Sequence, residues 1–82
     1  MPEVTVLYFA QARDRLGTAH EVVALPSPAG AAEVLAAIRE RHPAQAALIG
    51  RCRVAIDHQF VDAPVPIGDR SEIALIPPVS GG

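Results

Sequence analysis

The chain has 82 residues, half of them apolar and 20% charged, with a formal net charge of -2, which describes one small globular domain burying only about 60% of its unfolded surface. That size excludes a second domain or a deep internal active site, and seven scattered arginines with no lysine do not form the basic footprint of a nucleic-acid binder. One cysteine cannot form an internal disulfide, no stretch approaches the ~18 apolar residues of a bilayer span, and the opening lacks a leader pattern, so a cytoplasmic protein with no nucleic-acid or membrane partner is expected.

Glu3 to Ala10 (EVTVLYFA) is rich in β-branched and aromatic residues and predicts a first strand. Alternation puts Val4, Val6 and Tyr8 on one face and Thr5, Leu7 and Phe9 on the other. A short helical turn through Ala12, Arg13, Asp14 and Leu16 is expected to stop at Gly17, which suits the left-handed position after a helix. His20 to Leu25 (HEVVAL) predicts a second strand in a loose hairpin with the first. Pro26 to Gly30 is a loop in which Ser27, before Pro28, is the expected helix cap. Ala31, Val34, Leu35 and Ile38 then recur at helical spacing, predicting the one substantial helix from Ala31 to Arg41, stopped by Pro43. Ala44 to Ile49 is an irregular turn.

Arg53 to Asp57 (RVAID) predicts a third strand, turning at Asp57, His58 and Gln59 into a short segment around Phe60 and Val61. Pro64 and Pro66 restrict their stretch of chain to an edge or a loop. Glu72 to Ile76 is the last strand, with Ile73 and Leu75 alternating against Ala74 and Ile76. The order implies an α+β fold of the β-grasp type, a mixed sheet of about five strands with one main helix across one face. The two terminal strands are the most apolar, so they are expected side by side in the middle, and parallel if the helical connection supplies the crossover. The domain is assigned to residues 1–76 and a flexible tail to 77–82.

One helix covers one face of such a sheet. Phe9, Ile76 and Phe60 are then left on the open side next to the tail, as a docking surface would require. Closure of that face by loop residues Pro64 to Ile67, or by self-association, is the alternative.

The chain closes on a diproline, Pro77-Pro78, followed by Val79, Ser80, Gly81 and Gly82. Two terminal glycines arise by chance in roughly one chain in 200, so the context carries the inference: a strand and a stiff diproline hold out a tip with no Cβ to shield its carboxylate. A carboxylate reacts only after activation. Attack on the α-phosphate of ATP gives an acyl-adenylate, from which a sulfur nucleophile displaces AMP to leave a thioester or a thiocarboxylate. No glycine-rich phosphate loop is present, so ATP must be bound by a partner. Cys52, although flanked by Arg51 and Arg53, has no evident base and is expected as a partly buried structural cysteine. His20, His42 and His58 are dispersed without metal-ligand spacing, so no metal is expected, and Asp69 and Glu72 are expected at a turn and on the surface. The lack of lysine leaves no ε-amine for the tail to acylate within the chain, although arginine-for-lysine bias in base composition is the preferred explanation.

The ending ALIPPVSGG (Ala74 to Gly82), the opening VLYFAQARDRLGT (Val6 to Thr18), the helix EVLAAIRERHP and the RVAID strand together resemble the molybdopterin synthase small-subunit family of ubiquitin-like sulfur carriers. The short helix between the first two strands separates this family from the thiamine-pathway carrier, which usually lacks it. The resemblance implies a ubiquitin-like β-grasp domain whose Gly82 is adenylated by a ubiquitin-activating-type adenylyltransferase using Mg-ATP. Gly82 is then thiocarboxylated to 1-thioglycine, with sulfur from a sulfurtransferase or cysteine desulfurase. It implies insertion of the tail, Pro77, Pro78, Val79, Ser80 and Gly81, into the large synthase subunit, where the thiocarboxylate gives its sulfur to cyclic pyranopterin monophosphate in molybdenum cofactor biosynthesis. The chain would be the non-catalytic, sulfur-donating subunit of a heterotetramer, without stand-alone activity and binding no cofactor itself. Phe9, Phe60 and Ile76 match the family's partner-contacting positions. Ile76 stands where an aromatic is familiar, and Asp14 replaces the more usual glutamate. A carrier for another acceptor (thiamine, cysteine or tRNA thiolation) and a non-reactive ubiquitin-like interaction module are the competing readings.

Overall fold

A computed structural model describes residues 1–79. In chain order the elements are β1 (Glu3–Tyr8), α1 (Ala10–Leu16), β2 (His20–Ala24), α2 (Ala31–Arg41), a 3-10 turn (Pro43–Gln45), α3 (Ala46–Gly50), β3 (Arg53–Ile56), β4 (Gln59–Phe60) and β5 (Glu72–Ile76). The five strands form one mixed sheet in the order β2-β1-β5-β3-β4. β1 and β5 run parallel at its centre, with Val6 opposite Ile73 and Tyr8 opposite Leu75, while β2 and β3 flank them antiparallel. This is the ubiquitin-like β-grasp arrangement, with the terminal strands adjacent and parallel as the sequence implies.

Burial follows the alternation in both central strands. Val4, Val6, Tyr8, Ile73 and Leu75 point into the core with Val34 and Ile38 of α2, Leu25 and Ile49, while Thr5, Leu7, Ala74 and Ile76 stay only partly covered. Leu25, Ile38, Ile49, Ile73 and Leu75 are among the largest side chains fully withdrawn from water, each contributing roughly 1.5 to 3 kcal/mol by burial.

Four local expectations need correction, the first being the stretch from Ala44 to Ile49, expected as an irregular turn but regular in the structure as the end of the 3-10 turn and the short helix α3. β1 ends at Tyr8 rather than Ala10, because Ala10 takes a positive φ of 49° and opens α1, which therefore begins two residues before the expected helical turn. Ser27 does not cap α2. Its hydroxyl accepts the Ile67 N–H at 2.9 Å, and the Gly30 N–H is held instead by the Glu33 carboxylate at 2.7 Å. β4 comprises Gln59 and Phe60, one residue earlier than expected, because Asp57 and His58 both adopt positive φ and close a two-residue turn. Gly17 does end α1, in the left-handed conformation (φ 78°), its N–H donating to the Arg13 carbonyl.

The loop after β4 packs at the start of α2. Ala29 and Val65 exchange two backbone hydrogen bonds of 2.9 Å, Ile67 enters the core, and a Cβ on Gly30 would lie 3.2 Å from the Pro64 nitrogen. Pro64 to Ile67 thus close the helix side of the domain, not the opposite sheet face.

Candidate tail-exit site and open sheet face

β5 lies between β1 and β3, so both of its edges are hydrogen-bonded and its C-terminal end is fixed in direction. Pro77 is still buried and Pro78 partly so, whereas Val79 is 90% exposed. The backbone therefore leaves the body after the diproline. A groove between α1 and this exit is lined by Phe9, Ala10, Gln11, Asp14, Ile76, Pro77, Pro78 and Val79. Ser80, Gly81 and Gly82, expected as the end of the tail and its reactive group, lie outside the described residues.

The sheet face away from α2 carries the three expected surface residues. Phe9 is 46% and Phe60 52% exposed, large values for aromatic side chains, and Ile76 is half-buried. A shallow depression brings all three together around Ala55 and Ala74, with His58 and Glu72 at its rim. Register explains the shape. Leu7, Ala74, Ala55 and Phe60 form one row across β1, β5, β3 and β4, so two alanines make a low floor beside a tall phenylalanine.

Arg53 was not anticipated at this surface. It sits opposite Ile76 in the β3–β5 ladder, and its guanidinium carbon lies 3.7 Å from the centre of the Phe60 ring, a cation–π stack. The signal was present in the chain: a two-residue turn pairs Ala55 with Phe60, and Arg53 shares the face of Ala55 by strand alternation.

Other titratable groups serve the body. Cys52 is buried, its thiol donates to the Leu48 carbonyl at 3.4 Å, and burial pushes its pKa up against the opposing charge of Arg51, the reverse of an activated thiolate. Tyr8, Glu21 and His42 form a cluster on the helix side. The Tyr8 hydroxyl donates to Glu21 Oε1 at 2.7 Å, and His42 Nε2 lies 2.6 Å from the same oxygen, so the proton of that contact belongs to the imidazole, because a carboxylate only accepts. Nothing in the sequence pattern joins these three residues, which come from separate elements. Glu72 and His58 meet at 3.5 Å on the surface. Among the described residues no group of three His, Cys, Asp or Glu side chains gathers as a metal site, and no helix is long and apolar enough to cross a membrane.

Comparison with known proteins agrees with this geometry. The model of the ThiS family matches residues 6–82. The molybdopterin synthase sulfur carrier subunit of Escherichia coli (strain K12) is 37% identical, covering 96% of this chain and 99% of its own length. That of Mycosarcoma maydis is 35% identical, covering 99% and 95%. Among solved structures, small archaeal modifier protein 1 from Methanosarcina acetivorans superposes with a TM-score of 0.77 at 26% identity, covering 100% of this chain and 98% of that one. The complex of subunits 1 and 2 of molybdopterin-converting factor from Helicobacter pylori 26695 contains a chain with a TM-score of 0.65 at 23% identity, covering 98% and 99%. With its central parallel strands, its exposed exit after the diproline and a family match that spans nearly its whole length, the chain belongs to the ThiS family of ubiquitin-like β-grasp proteins, alongside the molybdopterin synthase sulfur carrier subunits.

Proposed function

We propose that this chain is the sulfur-carrying small subunit of a molybdopterin synthase and that the carboxylate of Gly82 is its reactive group. The observation that carries this reading is the exit of β5: a doubly paired central strand delivers a diproline and an exposed Val79 at the border of an open apolar face. Pro78 to Gly82 reach at most about 17 Å, enough for the tip to enter a neighbour's active site while the body stays outside. The diproline lowers the ordering cost of that insertion. The relatives named as molybdopterin synthase sulfur carrier subunits support the pathway, and the Helicobacter pylori complex of subunits 1 and 2 supports a large-subunit partner.

In this reading a ubiquitin-activating-type adenylyltransferase holds Mg-ATP and the carboxylate of Gly82 attacks its α-phosphate, releasing pyrophosphate. The persulfide of a sulfurtransferase or cysteine desulfurase then displaces AMP to give an acyl disulfide. A second thiol cleaves its S–S bond, leaving a thiocarboxylate, 1-thioglycine at position 82, and a disulfide between the two thiols. Inside the large subunit that sulfur passes to cyclic pyranopterin monophosphate. The body supplies orientation and docking, not acid-base chemistry, through Phe9, Phe60 and Ile76. In this reading residues 1–76 act as the domain and 77–82 as the tail, of which Pro77 stays packed against the body while Pro78 to Gly82 are the part that inserts.

The test is an intact-mass measurement after incubation with adenylating enzyme, Mg-ATP and a sulfur source, followed by reconstitution with the large subunit and pterin precursor. One terminal oxygen should be exchanged for sulfur, and deletion of Gly82 should abolish both that exchange and pterin conversion. No mass change, or full activity without Gly82, overturns the proposal. The breadth of the family match and the likeness to an archaeal modifier protein favour, as the second reading, a carrier for another acceptor. Thiocarboxylate formation without transfer to the pterin precursor would select it.

A further inference from the structure

We infer that Arg53 is the polar specificity determinant of the open face and that the large subunit covering this face presents an aspartate or glutamate carboxylate to it. The inference rests on the reading above, that a large synthase subunit docks here, and adds the chemistry of the contact.

The open face is apolar except at its borders. Toward the tail exit stands Arg53, opposite Ile76 in the sheet; at the other end of β5 stands Glu72, four residues and about 13 Å away along the strand. Arg53 is exposed, and among the described residues no carboxylate lies within ion-pair distance of it. Its guanidinium is nevertheless held in place, stacked 3.7 Å from the centre of the Phe60 ring. Stacking uses the flat side of the group and leaves the N–H donors along its edge available, in the fork geometry that matches a carboxylate. The cost of ordering a long side chain has thus been met before the partner arrives.

A partner covering Phe9, Ala74, Ile76 and Phe60 must also cover Arg53, because Arg53 lies directly on Phe60 and beside Ile76. An arginine buried without a counter-charge opposes association, whereas one paired with a carboxylate favours the correct partner and register. Glu72 and Asp57 do not supply this charge: Asp57 Oδ1 accepts the Glu72 N–H at 2.9 Å, and Glu72 faces His58. The complementary acid must come from outside the described body, on the surface that buries the patch.

The experiment is calorimetric titration of wild-type chain, Arg53→Met and Arg53→Glu into the molybdopterin synthase large subunit encoded by the same genome, at low and moderate salt. The same three chains are titrated into the adenylating enzyme, and amide exchange of β3 and β5 serves as a control for folding. Arg53→Met should weaken large-subunit binding about 30-fold or more and flatten its salt dependence, and Arg53→Glu should weaken it further. Arg53→Met binding as tightly as wild type overturns the inference alone, as does a loss confined to the adenylating enzyme. Failure of the wild-type chain to bind the large subunit overturns the docking reading and this inference together.

Discussion

Glu21 is an inward-facing charge on an edge strand, a placement that discourages edge-to-edge pairing but is tolerated only with partners. Partial burial opposes its ionisation, yet the hydrogen bonds from Tyr8 and His42 and the charges of His42 and Arg41 outweigh that and hold its carboxyl below the usual carboxylate range. Burial and the same hydrogen bond push the Tyr8 phenol upward, so Tyr8 remains a donor throughout the accessible pH range. A folded-state pKa below the unfolded value of about 4.3 fixes the sign: the stabilisation is complete above roughly pH 5 and is lost as pH falls through the folded value. Glu21→Gln should therefore flatten the acid limb of a stability-versus-pH curve measured by urea midpoints between pH 6 and pH 3. Tyr8→Phe should cost about 1.5 to 3 kcal/mol at neutral pH, as for a hydrogen bond to a charged acceptor. An unchanged acid limb in Glu21→Gln would mean the cluster is decorative. None of this was legible in the sequence, because Tyr8, Glu21 and His42 lie 13 and 21 residues apart and meet only through the packing of α2 on the sheet.

Elements were legible where the signal was local. The α2 boundaries follow from apolar spacing and from Pro43, and Gly17 ends α1 because glycine enters the left-handed region at no steric cost. The failures were tertiary: Ser27 has the right identity for a helix cap, but its hydroxyl is taken by Ile67, 40 residues away. The β3–β4 turn was legible at Asp57 and His58, but its length was not: at φ 51° and 70° they occupy both central positions of a two-residue turn that usually call for Asn and Gly, so β4 starts at Gln59. Asp57 is retained for its carboxylate, which anchors the start of β5 through the Glu72 N–H at 2.9 Å. His58 has only an exposed contact with Glu72 to set against its strain. His58→Gly should relieve about 1 to 2 kcal/mol of left-handed strain and return roughly 0.5 to 1 kcal/mol of it through the greater freedom of the unfolded chain. The net gain is about 0 to 1.5 kcal/mol, readable as a denaturant midpoint equal to or higher than that of the wild type at constant slope. A lower midpoint would show that the imidazole contributes more than its geometry indicates.

At the scale of the molecule, the division between a covered and an open sheet face separates folding from recognition, and β5 carries both in alternate residues. The sequence made this visible, because strand alternation with a single long helix leaves one face uncovered. Arg53 could be placed on that face only once the β3–β4 register was known, and nothing local showed that the loop from Pro64 to Ile67 closes the helix side. Ile73 and Ala74 are neighbours on the central strand, but Ile73 is fully buried under α2 and Ala74 floors the open depression. Ile73→Ala should therefore cost about 2 to 5 kcal/mol, since it opens a cavity in a core too small to collapse around it. In a domain of this size that is a large share of the total stability. Ala74→Glu places its carboxylate on the side away from the core, so its effect on stability should stay near 1 kcal/mol or below. Its effect on docking should be much larger, because the added charge stands between Phe60 and Ile76 at the centre of the surface a partner would have to dry. Thermal melts paired with a large-subunit pull-down and pterin conversion should give opposite patterns: Ile73→Ala with a lowered melting temperature and binding retained while folded, Ala74→Glu with a near-native melt and binding lost. If Ala74→Glu bound and transferred sulfur like the wild type, the open face would not be the docking surface, and the tail would have to find its acceptor by its own contacts alone.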